Sequence, residues 1–168
     1  MIMQVIKDDL LKQRNKCLIL PYNKNVEVLD KLNSIVYKKA GKIRLKTAYK
    51  LKPCKLNTTV KITKGYMLKP EYVIHTQVPK YRGIEVDRMQ LIKSIVDPLR
   101  IVKENNIQDI LIPIVINESD KLFMHGIIST IMKAIKMWCN SNKDYYIYIT
   151  LCCDNDDVYE ECIRNLRN

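Results

Sequence analysis

Glycine and proline are scarce in this chain, four and six among 168 residues, and phenylalanine and tryptophan occur once each. That scarcity excludes collagen-like and low-complexity chains and fits an ordered globular composition. No apolar run approaches the ~18 residues that a membrane-spanning helix needs, and charges interrupt the N-terminal stretch Met1-Ile-Met-Gln-Val-Ile-Lys-Asp-Asp9. Neither secretion nor membrane association is expected. The six cysteines contain no C-x-x-C, and the two histidines lie far apart. A zinc framework and a disulfide scaffold are therefore not expected, and neither a metal nor a cofactor is predicted. Reduced thiols fit an intracellular protein, cytoplasmic or nuclear. The Asn57-Thr58-Thr59 sequon is read as chance, because nothing else favours secretion.

What is present is apolar and periodic. Residues of apolar type make up 47% of the sequence, enough for one domain spanning residues 1–168 that buries roughly two-thirds of the surface its unfolded chain exposes. No repeat or linker interrupts it. Strands are predicted at Gln4–Ile6, Cys17–Leu20, Val60–Ile62, Tyr72–Gln77, Ile110–Ile116 and Tyr145–Leu151, and helices at about Val26–Lys39, Val86–Asn105, Leu122–Trp138 and Val158–Leu166. Gly41 is a fitting stop for the first helix. Asp97-Pro98 reads as a point where the second is kinked or split. In Lys42–Leu51 the residues Ile43, Leu45, Tyr49 and Leu51 alternate with basic ones, a pattern that favours a strand. Strands separated by helices predict an α/β fold, a three-layer α/β/α sandwich around a mostly parallel mixed sheet. In such sheets ligands lie beyond the carboxyl ends of the strands, which directs attention to the loops after Leu20, Gln77, Ile116 and Leu151.

Acidic residues are missing where basic ones gather. The net charge is +11, and from Lys31 to Lys69 twelve basic residues occur with no acidic one. An unscreened block of this kind attracts nucleic acid, another polyanion or an acidic protein surface. The alternative is a solvated lysine face, since lysine outnumbers arginine and base-reading contacts favour arginine. The candidate surface comprises Lys38, Lys39, Lys42, Arg44, Lys46, Lys50, Lys52, Lys55, Lys61 and Lys64, with Tyr49 and Tyr66 available for base stacking.

The segment Thr63-Lys-Gly-Tyr-Met-Leu-Lys-Pro-Glu-Tyr-Val-Ile-His-Thr76 resembles the macro-domain segment in which a "T-x-G-y-x-L" turn feeds a "yVIHt" strand. Gln4–Leu10 is similar to that family's opening strand and "G-D-I" turn, and Ala40-Gly41 to the "AG" that ends its first helix. The resemblance implies a macro-domain fold with ADP-ribose or a relative as ligand, and in many members hydrolysis of an ADP-ribosyl bond. By the same resemblance Asp9 corresponds to the acid that receives the adenine amino group, although a strand-end turn explains it equally. Asn23 corresponds to a residue that contacts the distal ribose, although an ordinary loop asparagine is the plainer reading.

The family's four glycines, however, fall on Val28, Leu29, Asp30 and Lys31, and its hydrolysis-associated acid falls on Asn33. An amide has no usable proton affinity at neutral pH. The second phosphate loop corresponds to Pro113–Lys121, with Asn117 inside it and Glu118 and Lys121 at the glycine positions. The adenine-stacking aromatic falls on Cys153, followed by Asp154. The resemblance thus yields Asp9, Asn23, Asn33, Asn117 and Asp154 as candidate ligand contacts and no catalytic residue.

Two functions remain open from the sequence, beside a third reading as a pure protein-interaction or structural domain with a vestigial cleft. One is a non-catalytic module that binds nucleic acid or another polyanion. The other is recognition of ADP-ribose or a related nucleotide, or an ADP-ribosylated protein, in an altered pocket with weak or no hydrolysis. His75 and His125 lie by no Cys or Ser motif and are read as structural.

Overall fold

Six short strands and five helices form the computed structural model, which describes residues 1–51 and 60–167. The strands are β1 (Ile2–Lys7), β2 (Cys17–Tyr22), β3 (Lys61–Lys64), β4 (Tyr72–Gln77), β5 (Asp109–Ile114) and β6 (Tyr148–Cys153). The helices are α1 (Glu27–Ala40), α2 (Lys42–Leu51), α3 (Glu85–Glu104), α4 (Met124–Ser141) and α5 (Asp156–Arg167), with 3₁₀ turns at Leu10–Lys12 and Glu118–Phe123. The strands lie in the order β1-β6-β5-β2-β4-β3, parallel throughout except for β3, which runs antiparallel to β4. The sheet is the mixed, mostly parallel one that the sequence predicts.

Alternation along the strands divides the core into two. Cys17, Ile19, Ile74, Ile110 and Ile112 face α3, α4 and α5, where Leu99, Ile128, Ile135 and Val158 meet them. Leu18, Leu20, Val73 and Leu111 face the other way, onto Val36, Ala40 and Leu45 of α1 and α2. Helices on both faces of one sheet make three layers.

The first helix ends where the sequence expects. Gly41 has φ +87°, a left-handed conformation that glycine adopts without a Cβ penalty. The chain then begins α2 at once, whereas alternation predicts a strand over Lys42–Leu51. Leu45 and Tyr49 are four apart and share one face of the helix, so Leu45 is fully buried while Ile43 is 82% exposed. Lysine, arginine, leucine and alanine, good helix formers, fill the segment and match that pattern.

The helix is not split at Pro98, and α3 continues through it. Proline cannot donate to the carbonyl four residues back, which leaves the Ser94 oxygen without its helical partner. Thr76 of β4 supplies one, its hydroxyl donating to Ser94 O at 2.9 Å. The turn before β4 is equally specific. A Cβ on Gly65 would come within 1.9 Å of the Pro70 carbonyl oxygen, so only glycine fits the Thr63–Leu68 turn.

The functional end of the molecule arises from a gap in the sheet. β2 pairs with β4 along its whole length but with β5 only at Cys17 and Leu18. Beyond those residues Pro21 and Pro113 offer no N–H to continue the ladder, and β2 and β5 part toward their carboxyl ends.

Candidate functional site

The parted strands enclose an apolar cavity of about 80 Å³, closed over by Val26 and Leu29 from the start of α1 and by Tyr81 and Ile116. A larger hollow of about 440 Å³ adjoins it through Pro113 and Val115 and lies beyond the ends of β1, β5 and β6. Its walls include Asp9, Leu10, Leu32, Cys153 and Asp154. The site therefore has one nearly filled half and one open half.

Of the five candidate ligand contacts, Asp9 and Asp154 are brought together in the open hollow. Asp9 also caps the 3₁₀ turn, one carboxylate oxygen accepting from Leu11 N at 2.9 Å, so its turn role is present as well. Asp154 is exposed and accepts from the Asn155 amide at 2.9 Å. Asn117 lines the small cavity, its amide donating to Ser119 Oγ at 2.7 Å. Asn23 lies apart from that cavity. Its amide nitrogen donates to Val78 O at 2.8 Å and its oxygen accepts from Asn25 N at 2.9 Å, which ties the loop after β2 to that after β4.

Asn33 lies on the buried face of α1. Its amide donates to Pro21 O and Leu29 O, both at 2.8 Å, and its own oxygen is buried with no hydrogen-bond partner. The amide therefore fastens α1 to the end of β2, and an amide takes no proton from water at neutral pH.

The backbone donors near the small cavity are largely consumed. Val26 N bonds to Asn23 O, and Leu29 N and Asp30 N both bond to Val26 O at 3.1 Å. Residues 28–31 are thus ordinary α-helix, with side chains where a phosphate-binding loop presents bare amides. The facing turn begins with Glu118 and Asp120, and Asp120 lines the cavity. These carboxylates occupy the helix N-terminal position that otherwise attracts an anion.

The thiols of Cys17, Cys152 and Cys153 are held protonated. Burial pushes the Cys17 thiol up to about 12 and the Cys152 thiol up to about 11, while the Cys162 contact, then burial, raises that of Cys153. His75 is fully buried, and burial, aided by the Lys61 charge, depresses its pKa to about 4, so its ring is neutral. His125 donates or accepts at 2.7 Å with the buried Glu161, on the far side of the sheet from Asn33. Among the described residues no cluster of three or more His, Cys, Asp or Glu could hold a metal ion.

The basic candidates gather around α2. Lys38 and Lys39 end α1, Arg44, Lys46 and Lys50 lie on α2, and all five side chains are exposed. Among the described residues none of the five is in an ion pair. Lys64 is paired with Glu71 at 3.2 Å. Lys61 is half-buried, donating to Tyr49 O and lying 4.4 Å from the Tyr49 ring centre. Lys42 begins α2, and Lys52 and Lys55 lie outside the described residues.

Tyr66 is exposed in the turn before β4. Tyr49 instead packs inward, its ring 5.9 Å from Tyr22 and 4.9 Å from His75. Tyr22, Tyr37 and Tyr49 wall a pocket of about 190 Å³ on the outer flank of α1. Sequence reading missed this grouping. Asn23, Asn33 and Tyr49 were each singled out in the sequence, but nothing there joined them to one another or to Tyr22 and Tyr37.

A family model described as "Macro domain" matches residues 21–118. Among solved structures, the macro domain of ganglioside induced differentiation associated protein 2 is 17% identical, with a TM-score of 0.79 over 98% of this chain and 82% of that one. The Oceanobacillus iheyensis macrodomain with ADP is also 17% identical, with a TM-score of 0.78 over 98% and 90% of the two chains. The Trypanosoma brucei macrodomain in complex with ADP is 15% identical, with a TM-score of 0.76 over 98% and 69%. No curated protein matches the sequence.

Proposed function

The chain belongs to the macro domain family, and from that premise we propose that it is a non-catalytic binding module that holds nucleic acid on the basic face formed by the end of α1, α2 and β3. The observation that carries this reading is the set Lys38, Lys39, Arg44, Lys46 and Lys50, exposed together and unpaired among the described residues. Cations free of carboxylate partners release condensed counterions from a phosphate chain on binding. With all five engaged, log affinity for a single strand falls against log salt with a slope of about −3.5. Fluorescence anisotropy of a labelled single-stranded RNA across a salt series tests this. Replacing Arg44, Lys46 and Lys50 by Gln lowers the slope by about 2. Binding that is absent at low salt, or indifferent to salt, overturns the proposal.

A second reading is favoured by the 440 Å³ hollow holding Asp9 and Asp154, and by the two neighbouring structures that contain ADP. In it, an adenosine moiety enters the hollow and hydrogen-bonds Asp9, while the filled cavity beyond Pro113 leaves the remainder of an ADP-ribose unsupported. Weak binding without hydrolysis follows, with ADP-ribose no better a ligand than AMP. Calorimetry with both nucleotides decides it, since a ligand well above its dissociation constant stabilises the fold. No heat and no thermal shift at millimolar ligand exclude it. Failure of both experiments leaves an acidic protein surface as the partner of the basic face.

A further inference from the structure

We infer that the tyrosine-walled pocket between α1 and α2 accepts one unpaired base of a bound single strand, so that the protein selects single-stranded over duplex nucleic acid. This deepens the basic-face reading and rests on it. The pocket lies on the opposite flank of α1 from the cleft between β2 and β5, and of the five candidate ligand contacts it brings together Asn23 and Asn33. Leu29 and Leu32 of α1 face the cleft and the hollow, whereas Asp30, Asn33 and Tyr37 line the outer pocket.

Its chemistry suits a flat, amino-bearing heterocycle. Tyr22, Tyr37 and Tyr49 supply aromatic walls, and Asp30 and Lys24 stand at its exposed side as acceptor and donor. The Asn33 carbonyl oxygen is a buried acceptor without a partner, and an exocyclic amino group at that end of the pocket provides the missing donor. A volume of about 190 Å³ suits one base, not a whole nucleotide chain.

The walls are fixed before any ligand arrives. Tyr49 meets Tyr22 edge to face, with an interplanar angle of 77°, and contacts both His75 and the Lys61 ammonium. A preformed aromatic wall costs little ordering entropy on binding. Tyr49 also stands three residues after Lys46 and one before Lys50, within one turn of the helix that carries the unpaired cations. A strand whose phosphates lie along α2 therefore passes beside the pocket mouth. A base within a duplex would have to leave its stack to enter.

The test compares wild-type protein with three probes of equal length: a single-stranded RNA, its duplex, and a phosphodiester strand lacking bases. The expected result is about tenfold tighter binding of the base-bearing single strand than of either other probe, the worth of one stacked base. Tyr22→Leu should remove that tenfold preference without changing the salt slope, with a thermal melt to verify its fold. As a measurement independent of any variant, 2-aminopurine in the strand should lose emission on binding as it stacks. Equal affinity for the base-bearing and baseless strands, with the salt dependence intact and 2-aminopurine unquenched, overturns the pocket and leaves the basic face standing. Absence of salt-dependent binding to all three probes overturns both.

Discussion

Asn33 does at the level of a single residue what a carboxylate at the same place could not. Its two N–H groups meet the carbonyls of Pro21 and Leu29 at 2.8 Å, so Asn33→Asp would set a buried carboxylate oxygen against two carbonyl oxygens. The substitution is expected to cost about 1–3 kcal/mol, read by urea denaturation, and to generate no hydrolase activity. His75 gives a second prediction. Buried among Tyr37, Tyr49 and Thr63 with Lys61 nearby, it has a folded pKa of about 4 against an ordinary 6.5. The unfolded chain therefore binds the extra proton first as pH falls, so stability is full above about pH 6.5 and declines toward pH 4. The loss is on the order of 3 kcal/mol. Denaturation midpoints of His75→Gln should lack that part of the decline. An unchanged pH profile in the variant would show that other groups carry it.

Among the elements, α3 and β4 are joined by a bond that proline makes necessary. Thr76→Val strands the Ser94 carbonyl and is expected to cost about 1–3 kcal/mol. Pro98→Ala restores a helical donor to the same oxygen, so the double variant should lose less than the sum of the two single ones. Additive losses in that cycle would sink the explanation. This coupling also shows how far sequence reading reaches. The Tyr72–Gln77 strand was legible from its β-branched and aromatic residues, and α1 from its apolar spacing and Gly41. The unbroken course of α3 was not, because the group that satisfies Ser94 comes from a strand 18 residues away. Over Lys42–Leu51, spacings of two and four both occur, and only the burial of Leu45 beneath α2 decides between them. The candidate site divides similarly. The meeting of Asp9 with Asp154 depends on β1 lying beside β6, which no local pattern specifies.

At the scale of the whole molecule, the charge of +11 is unevenly spread, and its densest part makes no ion pairs among the described residues at Lys38, Lys39, Arg44, Lys46 and Lys50. Such a cluster opposes the compact state through self-repulsion. The triple variant Arg44→Gln, Lys46→Gln, Lys50→Gln is therefore expected to melt no lower than wild type, and slightly higher at low salt, in a calorimetric scan. A fall of several degrees would mean that the cluster serves folding instead. The plug formed by Val26 and Leu29 has a different consequence, which concerns stability. Both side chains are 5% exposed and anchor α1 over the parted strands. Exchanging Leu29 for glycine would remove a core side chain worth about 2–5 kcal/mol and place the poorest helix former but proline in α1, at about 1 kcal/mol more. Against a typical margin of roughly 5–15 kcal/mol, a second such step would leave little folded protein. A single substitution that opened the cleft would therefore act on stability before it acted on ligand binding.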